Sequence, residues 1–344
     1  MGDPFQPDQV KIAVIGGGTG SFTLLSALKD HTNQIAALVN MVDDGGSTGV
    51  LRDEFGTLPP GDVRQCLVAL STSPKVRELF NYRFEEGTFG GHSFGNILLT
   101  ALEKTTGSFN EAVETASEIL RVRGTVVPMT LEDVRLKMEW PEASLILQGE
   151  RVIDAEHFKN DPRKATLSLV PEVAVNPTAV KAILQADLVL IAPGDLYTSL
   201  GPLLIVPEIS QALKTTQAIK IYVSNLVTKQ GQTDGFSVSD HADEIERLGG
   251  GHFLDYVLYN SQQPTAEQAA RYKKEGAYVV PIDQEKLDSA TYRAVDGEFL
   301  GQMAQPDKGD IIPVTRTLIR HNSKAVVKAI MDLHRRAKNV KFYR

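Results

Sequence analysis

The chain has 344 residues, 42% of them hydrophobic and 23% charged, with a formal net charge of −7. That is enough chain to bury a large α/β core as one domain or two. An acidic balance with no basic block argues against a nucleic-acid footprint, and the single cysteine, Cys66, excludes a disulfide or thiolate metal cluster within one chain.

Residues 1–9 are polar, with two prolines and no apolar signal region, and no apolar run reaches the length of a membrane span. A cytoplasmic protein is expected. The first strand is predicted over Val10–Ile15. Gly16-Gly17-Gly18-Thr19-Gly20-Ser21 follows, then apolar helical positions at Phe22, Leu24, Leu25 and Leu28. Such a strand, glycine turn and helix aim backbone N–H groups at one spot beside the positive end of a helix dipole. An anion, most often a phosphate, is stabilised there. Gly16 and Gly18 match the first two glycines of G-x-G-x-x-G, but Ser21 stands in place of the third. No Lys-Ser/Thr pair follows, so a P-loop is not expected. A tight turn without a ligand is the plain structural alternative.

The second strand, Ile35–Val42, runs into Asp43-Asp44-Gly45-Gly46-Ser47-Thr48-Gly49. Each carboxylate beside a phosphate costs about 4 kcal/mol at ~4 Å in a screened site. One acid therefore turns away, or a divalent cation or basic residue offsets the charge; Arg52 is the nearest basic candidate. Solvated acids in an Asp-Gly turn are the alternative.

Residues 60–125 read as successive helices, with no strand between Pro60 and Arg123. Cys66 shares an apolar helical stripe with Val63, Leu67 and Leu70, which fits a packed core thiol. Gly91-His92-Ser93-Phe94-Gly95 carries the literal G-x-S-x-G pattern, but residues 83–89 before it do not form a strand, so a hydrolase nucleophile elbow is rejected. The stretch reads instead as a glycine loop opening a helix, with His92 and Asn96 offering hydrogen bonds to a ligand. A capping box at Ser108–Glu111 opens another helix. Arg135–Trp140 and Ser144–Leu147 form an expected hairpin around Pro141–Ala143. The region from about 60 to 175 then reads as an insertion, with a helical cap and a hairpin, on one domain spanning 8–340.

Asn176-Pro177 opens a further helix. After the strand Leu188–Ile191, the Ala192–Ser199 connection places Gly194 for close approach to a ligand, and Thr198 and Ser199 for capping or phosphate contact. Strands are predicted at Ile219–Val223, Tyr256–Tyr259 and Tyr278–Val280, with Asn225 and Asn260 closing the first two. A surface helix is predicted over Ser323–Lys338. Near-continuous apolar strands alternating with helices predict an α/β fold with a doubly wound, mainly parallel sheet. Ligands of such sheets bind at the carboxyl ends of the strands. Five strand ends carrying polar or glycine loops point to one shared site. Zinc spacings such as His-Glu-x-x-His are absent.

Together, Ile15–Gly20, Asp43–Ser47, Leu58–Arg64, Gly91–Asn96, Val122–Gly124, Pro193–Ser199 and Thr233–Gly235 resemble the YvcK-like gluconeogenesis factors of the CofD-like (UPF0052) family, over about residues 11–260. The resemblance implies a Rossmann-like three-layer α/β/α fold and a nucleotide-type ligand. It implies a regulatory protein that binds UDP-sugars such as UDP-N-acetylglucosamine, needed for cell shape and peptidoglycan supply during gluconeogenic growth. The related CofD transfers 2-phospho-L-lactate from a guanosine-diphospho-lactate to a deazaflavin with magnesium, so a magnesium-dependent transferase of that type is the alternative. A dinucleotide-dependent oxidoreductase ranks third.

On this reading Gly17, Gly18, Thr19 and Gly20 hold the diphosphate, with Ser47 and Thr48 nearby. Asp43 or Asp44 holds a ribose or a cation. Arg52, His92, Asn96, Gly194, Thr198, Ser199 and Asn225 complete the pocket. A non-catalytic role leads because the sequence has no catalytic triad or metal cluster; in a transferase, Asp43 and Asp44 would position magnesium. The expected partners are the nucleotide ligand, a protein that reads the bound state and a second copy of the chain. Val50 stands where the family leads one to expect a second basic residue. Lys229-Gln230 replaces an expected Gln-Pro, a change expected to alter only a loop.

Overall fold

Ile12–Ile15 (β1) is buried at every position, as is Leu188–Ile191 (β7), and the two pair in parallel at the centre of the sheet. The computed structural model describes residues 9–274, 276–303 and 319–342. From β1 the chain enters α1 (Gly18–Leu28), β2 (Ile35–Val39), α2 (Gly46–Phe55), α3 (Gly61–Leu70), α4 (Pro74–Asn81), α5 (Phe94–Thr106), α6 (Phe109–Leu120) and β3 (Thr125–Pro128). A side structure follows: β4 (Arg135–Trp140), β5 (Leu145–Gln148), α7 (Glu150–Ala155) and β6 (Thr166–Val170). The sheet resumes after α8 (Pro177–Gln185) with β7. Then come α9 (Gly201–Leu204), α10 (Pro207–Thr215), β8 (Ile219–Val223), α11 (Val238–Leu248), β9 (Tyr256–Asn260), α12 (Ala266–Lys274), α13 (Gln284–Ser289) and β10 (Arg293–Gly297). A two-stranded ribbon, β11 (Leu300–Met303) and β12 (Ile319–His321), precedes α14 (Ser323–Phe342).

The central sheet has the order β3-β2-β1-β7-β8-β9-β10, and every pairing in it is parallel. Strands run outward from β1 in one direction and from β7 in the other. Right-handed crossovers then put the helices of the two halves on opposite faces. The fold is a Rossmann-like three-layer α/β/α sandwich, and its topological switch point lies between β1 and β7. In α1, Leu24, Leu25 and Leu28 are fully buried, the stripe that the sequence pattern predicts. Among the described residues no helix is long and apolar enough to cross a membrane.

Several expectations are corrected. Tyr278–Val280 is not a sheet strand: only Val279 bridges, to Val227, and Tyr278 is 56% exposed. The edge beside β9 is taken by β10, whose residues are all half-buried or exposed, as suits an edge strand. The expected hairpin is real, but β6 pairs with β4 to make a three-stranded antiparallel sheet in the order β5-β4-β6. The region expected as one insertion is divided by β3, which joins the central sheet beside β2. The helices α2–α6 therefore form an elaborated β2-to-β3 crossover, and only the small sheet with α7 stands apart. Residues 1–8 and 304–318, within or flanking the expected domain and leader readings, lie outside the described residues.

The two central strands are sealed at their carboxyl ends by backbone contact. Gly16 N–H donates to the Leu38 carbonyl at 3.2 Å, and Ala192 N–H donates to the Ile15 carbonyl at 3.0 Å. A Cβ on Gly20 would lie 1.7 Å from the Pro193 carbonyl oxygen, so α1 starts in direct contact with the loop after β7. At Gly194, by contrast, a Cβ would meet side-chain atoms no nearer than 3.5 Å. Gly20→Ala is therefore expected to cost about 3 kcal/mol or more, because backbone rather than a pliable side chain must move. Gly194→Ala is expected to change stability by no more than about 0.5 kcal/mol. Urea unfolding of both variants tests the contrast; equal stability would remove the contact's structural role.

Candidate functional site

Three helices begin with glycine at the carboxyl edge of the sheet, and their first turns touch. α1 has Gly17 at its N-cap and α2 has Gly45, and neither receives a side-chain cap. Their first N–H groups are left for a ligand or water. A Cβ on Gly17 would lie 2.1 Å from Asp62 Oδ2 and 2.9 Å from Asn40 Nδ2. A Cβ on Gly61, at the start of α3, would lie 2.5 Å from Thr48 Oγ1 and 2.6 Å from Asp43 Oδ2. Gly17–Gly20, Asp43, Thr48 and Asp62 thus surround one place beside the switch point. Asn40, from the end of β2, ties this group to the β7 side: Nδ2 donates to Asp62 Oδ2 at 3.1 Å and to the Ser199 carbonyl at 3.4 Å.

The site is rich in acid. Glu150, at the start of α7, is half-buried, and burial pushes its carboxyl up to about 9, with Asp43, Asp154, Asp62 and Asp44 adding to the rise. Lys229 supplies the compensating cation. Its Nζ donates to Asp195 Oδ2 at 2.9 Å and also pairs with Asp154. Burial opposes the Lys229 charge, but Asp195 and Asp154 outweigh it and hold the ammonium above its usual range. The Lys229-Gln230 departure therefore reaches the site rather than altering only a loop. Gln232 Nε2 donates to the Ile153 carbonyl at 2.8 Å, which fastens the α7 segment to the same loop.

The two acids of the Asp43-Asp44 turn divide. Asp44 accepts from Arg151 N–H at 2.8 Å and from Arg135 Nη1 at 3.2 Å, so it is spent on the small sheet and the start of α7. Asp43 accepts from Gly45 N–H at 3.0 Å through Oδ1 and keeps Oδ2 toward α3. The carboxylates best placed to hold a cation are accordingly Asp43 and Asp62. Among the described residues no three His, Cys, Asp or Glu side chains converge to hold a metal ion unaided.

Other predicted residues take different places. Arg52 is 3% exposed and points away from the glycine loop: Nε donates to Asp133 at 2.7 Å, and the guanidinium also reaches the Asp43 and Val134 carbonyls. Asn225 clamps Gly194, accepting from its N–H at 3.2 Å and donating to its carbonyl at 2.9 Å. Both amide atoms that the sequence placed on the binding rim are used by backbone. Asn260 is likewise tied to Phe299 N–H and the Gln262 carbonyl. Thr198 is buried and lies 3.5 Å from Asp154. Ser47, His92 and Asn96 form a network of their own: Ser47 Oγ is 3.0 Å from His92 Nδ1 and accepts from Asn96 Nδ2 at 3.2 Å. Ser93 is fully buried and caps α5, accepting from Asn96 N–H at 3.3 Å. Cys66 is buried, and burial pushes its thiol well above the usual range.

Sequence reasoning passed over Asp62 and Glu150. Asp62 follows the Pro-Pro-Gly turn at the start of α3, a signal of a helix start. Glu150 had none, because its place depends on the long-range docking of α7.

Comparison with known proteins agrees with this architecture. The model of the family described as 2-phospho-L-lactate transferase CofD matches residues 12–300. The gluconeogenesis factor of Bacillus subtilis strain 168 is 36% identical over 326 residues, covering 94% of this chain and 98% of that protein. The gluconeogenesis factor of Halalkalibacterium halodurans is 36% identical over 324 residues, covering 93% and 95%. A crystal structure of a UPF0052 family member from Bacillus halodurans matches with a TM-score of 0.83 at 35% identity, covering 94% of this chain and 99% of that one.

Two outcomes follow from the site's internal chemistry. The folded chain holds the Glu150 proton up to about pH 9, whereas an unfolded glutamate releases it near its ordinary 4.5. The folded state binds the extra proton, so stability falls as pH rises from about 4.5 to 9. Glu150→Gln should melt several degrees above the parent at pH 8, and the gap should close toward pH 5; parallel melting curves at all pH values would contradict the shared-acid picture. Ser93 should not react with a fluorophosphonate probe, and Ser93→Ala should cost about 1 kcal/mol, the usual loss for an N-cap.

Proposed function

The chain belongs to the CofD family, and we propose that it is a UDP-sugar-binding regulatory member of it, in the manner its resemblance to the gluconeogenesis factors implies. The observation that carries the reading is the glycine loop at the β1–β7 switch point, whose uncapped backbone N–H groups are suited to a diphosphate. A non-catalytic role is supported by what the polar groups do. Ser93, Asn225 and Arg52 are committed to capping and to holding loops, which leaves binding contacts rather than a nucleophile and its base at the glycine loop. In this reading the protein is cytoplasmic, senses the supply of a peptidoglycan precursor during gluconeogenic growth, and passes that state to a protein partner.

The magnesium-dependent transferase is kept as a second reading because Asp62 lies against Gly17 of the glycine loop and Asp43 lies against Gly61, the residue before Asp62. A diphosphate entering there meets two carboxylates, and a divalent cation would offset their repulsion, which is about 4 kcal/mol per pair at ~4 Å. The same ion would stabilise charge on a departing nucleotide phosphate.

Thermal melts with UDP-N-acetylglucosamine, GDP and NAD, each with and without magnesium, separate the readings. A ligand at a hundred times its dissociation constant adds about 2.7 kcal/mol, a shift of several degrees. UDP-N-acetylglucosamine is expected to give the largest shift. No shift with any UDP-sugar would overturn the regulatory reading, and a shift with GDP and magnesium, with turnover of a phospholactate donor, would replace it with the transferase.

A further inference from the structure

Outside the glycine loop, a cleft of about 370 Å³ opens between the first turn of α2 and the loop before α5. Asp44, Ser47, Asp53, His92 and Arg151 give it its polar groups. At the low end of small-molecule site volumes, it has room for one ring rather than a whole nucleotide.

A chain of hydrogen bonds runs from Arg64 through Asn96 and Ser47 to His92 at the cleft wall. Arg64 can only donate, and its Nε donates to Asn96 Oδ1 at 2.9 Å. That fixes the Asn96 amide, whose Nδ2 must then donate to Ser47 Oγ at 3.2 Å. The Ser47 hydroxyl, which accepts from Asn96, also lies 3.0 Å from His92 Nδ1, where it can donate its own proton. With Nδ1 accepting, the neutral imidazole carries its proton on Nε2. No described side chain or carbonyl receives that N–H, and His92 lines the cleft.

The acids of the cleft are already paired. Asp44 is held by Arg135 and the Arg151 N–H, and Asp53 accepts from Arg135 Nη2 at 2.9 Å. The Arg151 guanidinium is exposed and pairs with no described residue. The cleft therefore presents N–H donors, and it suits a group rich in oxygen acceptors. It also joins the glycine-loop site through α2, since Ser47 precedes Thr48, which touches the start of α3 beside Asp43.

We propose that this cleft is the subsite for the glycosyl group of a nucleoside-diphosphate sugar, that His92 is its specificity-determining residue, and that Asn96 and Arg64 are positioning residues acting through Ser47. The proposal rests on the UDP-sugar reading and adds where the sugar lies and what reads it.

Calorimetric titration of the full chain with UDP-N-acetylglucosamine and with UDP tests it. The parent is expected to bind the sugar nucleotide at least tenfold more tightly than UDP. His92→Ala should bring the two within about twofold while leaving UDP affinity unchanged, and His92→Gln, whose amide can place an N–H near the Nε2 position, should recover most of the preference. Because His92→Ala could disturb the loop, Arg151→Ala on the exposed rim supplies a second variant, and it too should lower the preference without affecting UDP. A preference that survives in both alanine variants, or a parent that binds both ligands equally, overturns this subsite while the UDP-sugar reading stands. Failure of the parent to bind either ligand overturns both.

Discussion

The carbonyl of Pro193 occupies the space that any side chain at residue 20 would need, and the rest of the site depends on this contact. It draws the first turn of α1 onto the loop after β7, across the line where the sheet reverses its direction of growth. The loop after β2 and the start of α3 close in from the other side, through Asn40, Asp43 and Asp62. A switch-point crevice exists in any sheet of this order. Here backbone, rather than side chains, forms its floor, and a backbone floor presents N–H groups. Asn225 supports the same geometry from β8 by gripping both polar atoms of Gly194.

Charge is the second constraint, and it runs against the first. A floor suited to anions is ringed by Asp43, Asp62, Glu150 and Asp154, with Lys229 pairing part of the excess. The protein relieves some of this strain by leaving Glu150 protonated and by turning Asp44 to Arg135. What is left over gives a bound phosphate a reason to arrive with a cation. The cleft at His92 has the opposite arrangement, with its acids paired and its donors open. The two compartments would thus sort a ligand by parts, a charged segment at the glycine loop and a neutral, oxygen-rich segment beside α2.

Much of the fold was legible because buried parallel strands announce themselves. β1, β2, β7, β8 and β9 are short apolar runs ending in glycine or polar loops, and each formed near its predicted position. The strands that escaped were β3, ending at Pro128, β6, the edge strand β10 with its polar Arg-Ala-Val-Asp-Gly, and the ribbon strands β11 and β12. Tyr278–Val280 had the right residue types, but β10 takes the place beside β9, and Val279 only bridges to Val227. The glycine loop, the Asp43 turn and the His92 loop were readable as site elements from local pattern. Local pattern could not tell which polar groups the protein spends on itself. Arg52 and Asn225 looked like ligand contacts and hold loops instead, whereas Asp62 and Glu150 were silent because their positions depend on how α3 and α7 dock.

The most direct test of the central claim is a crystal structure of the chain soaked or co-crystallised with UDP-N-acetylglucosamine and magnesium. The diphosphate is expected against the backbone N–H groups of residues 17–20, between Asp43 and Asp62, with the sugar extending toward His92. A nucleotide bound away from the β1–β7 crevice, with the glycine loop making no contact to its phosphates, would contradict the claim that this backbone floor is the binding element.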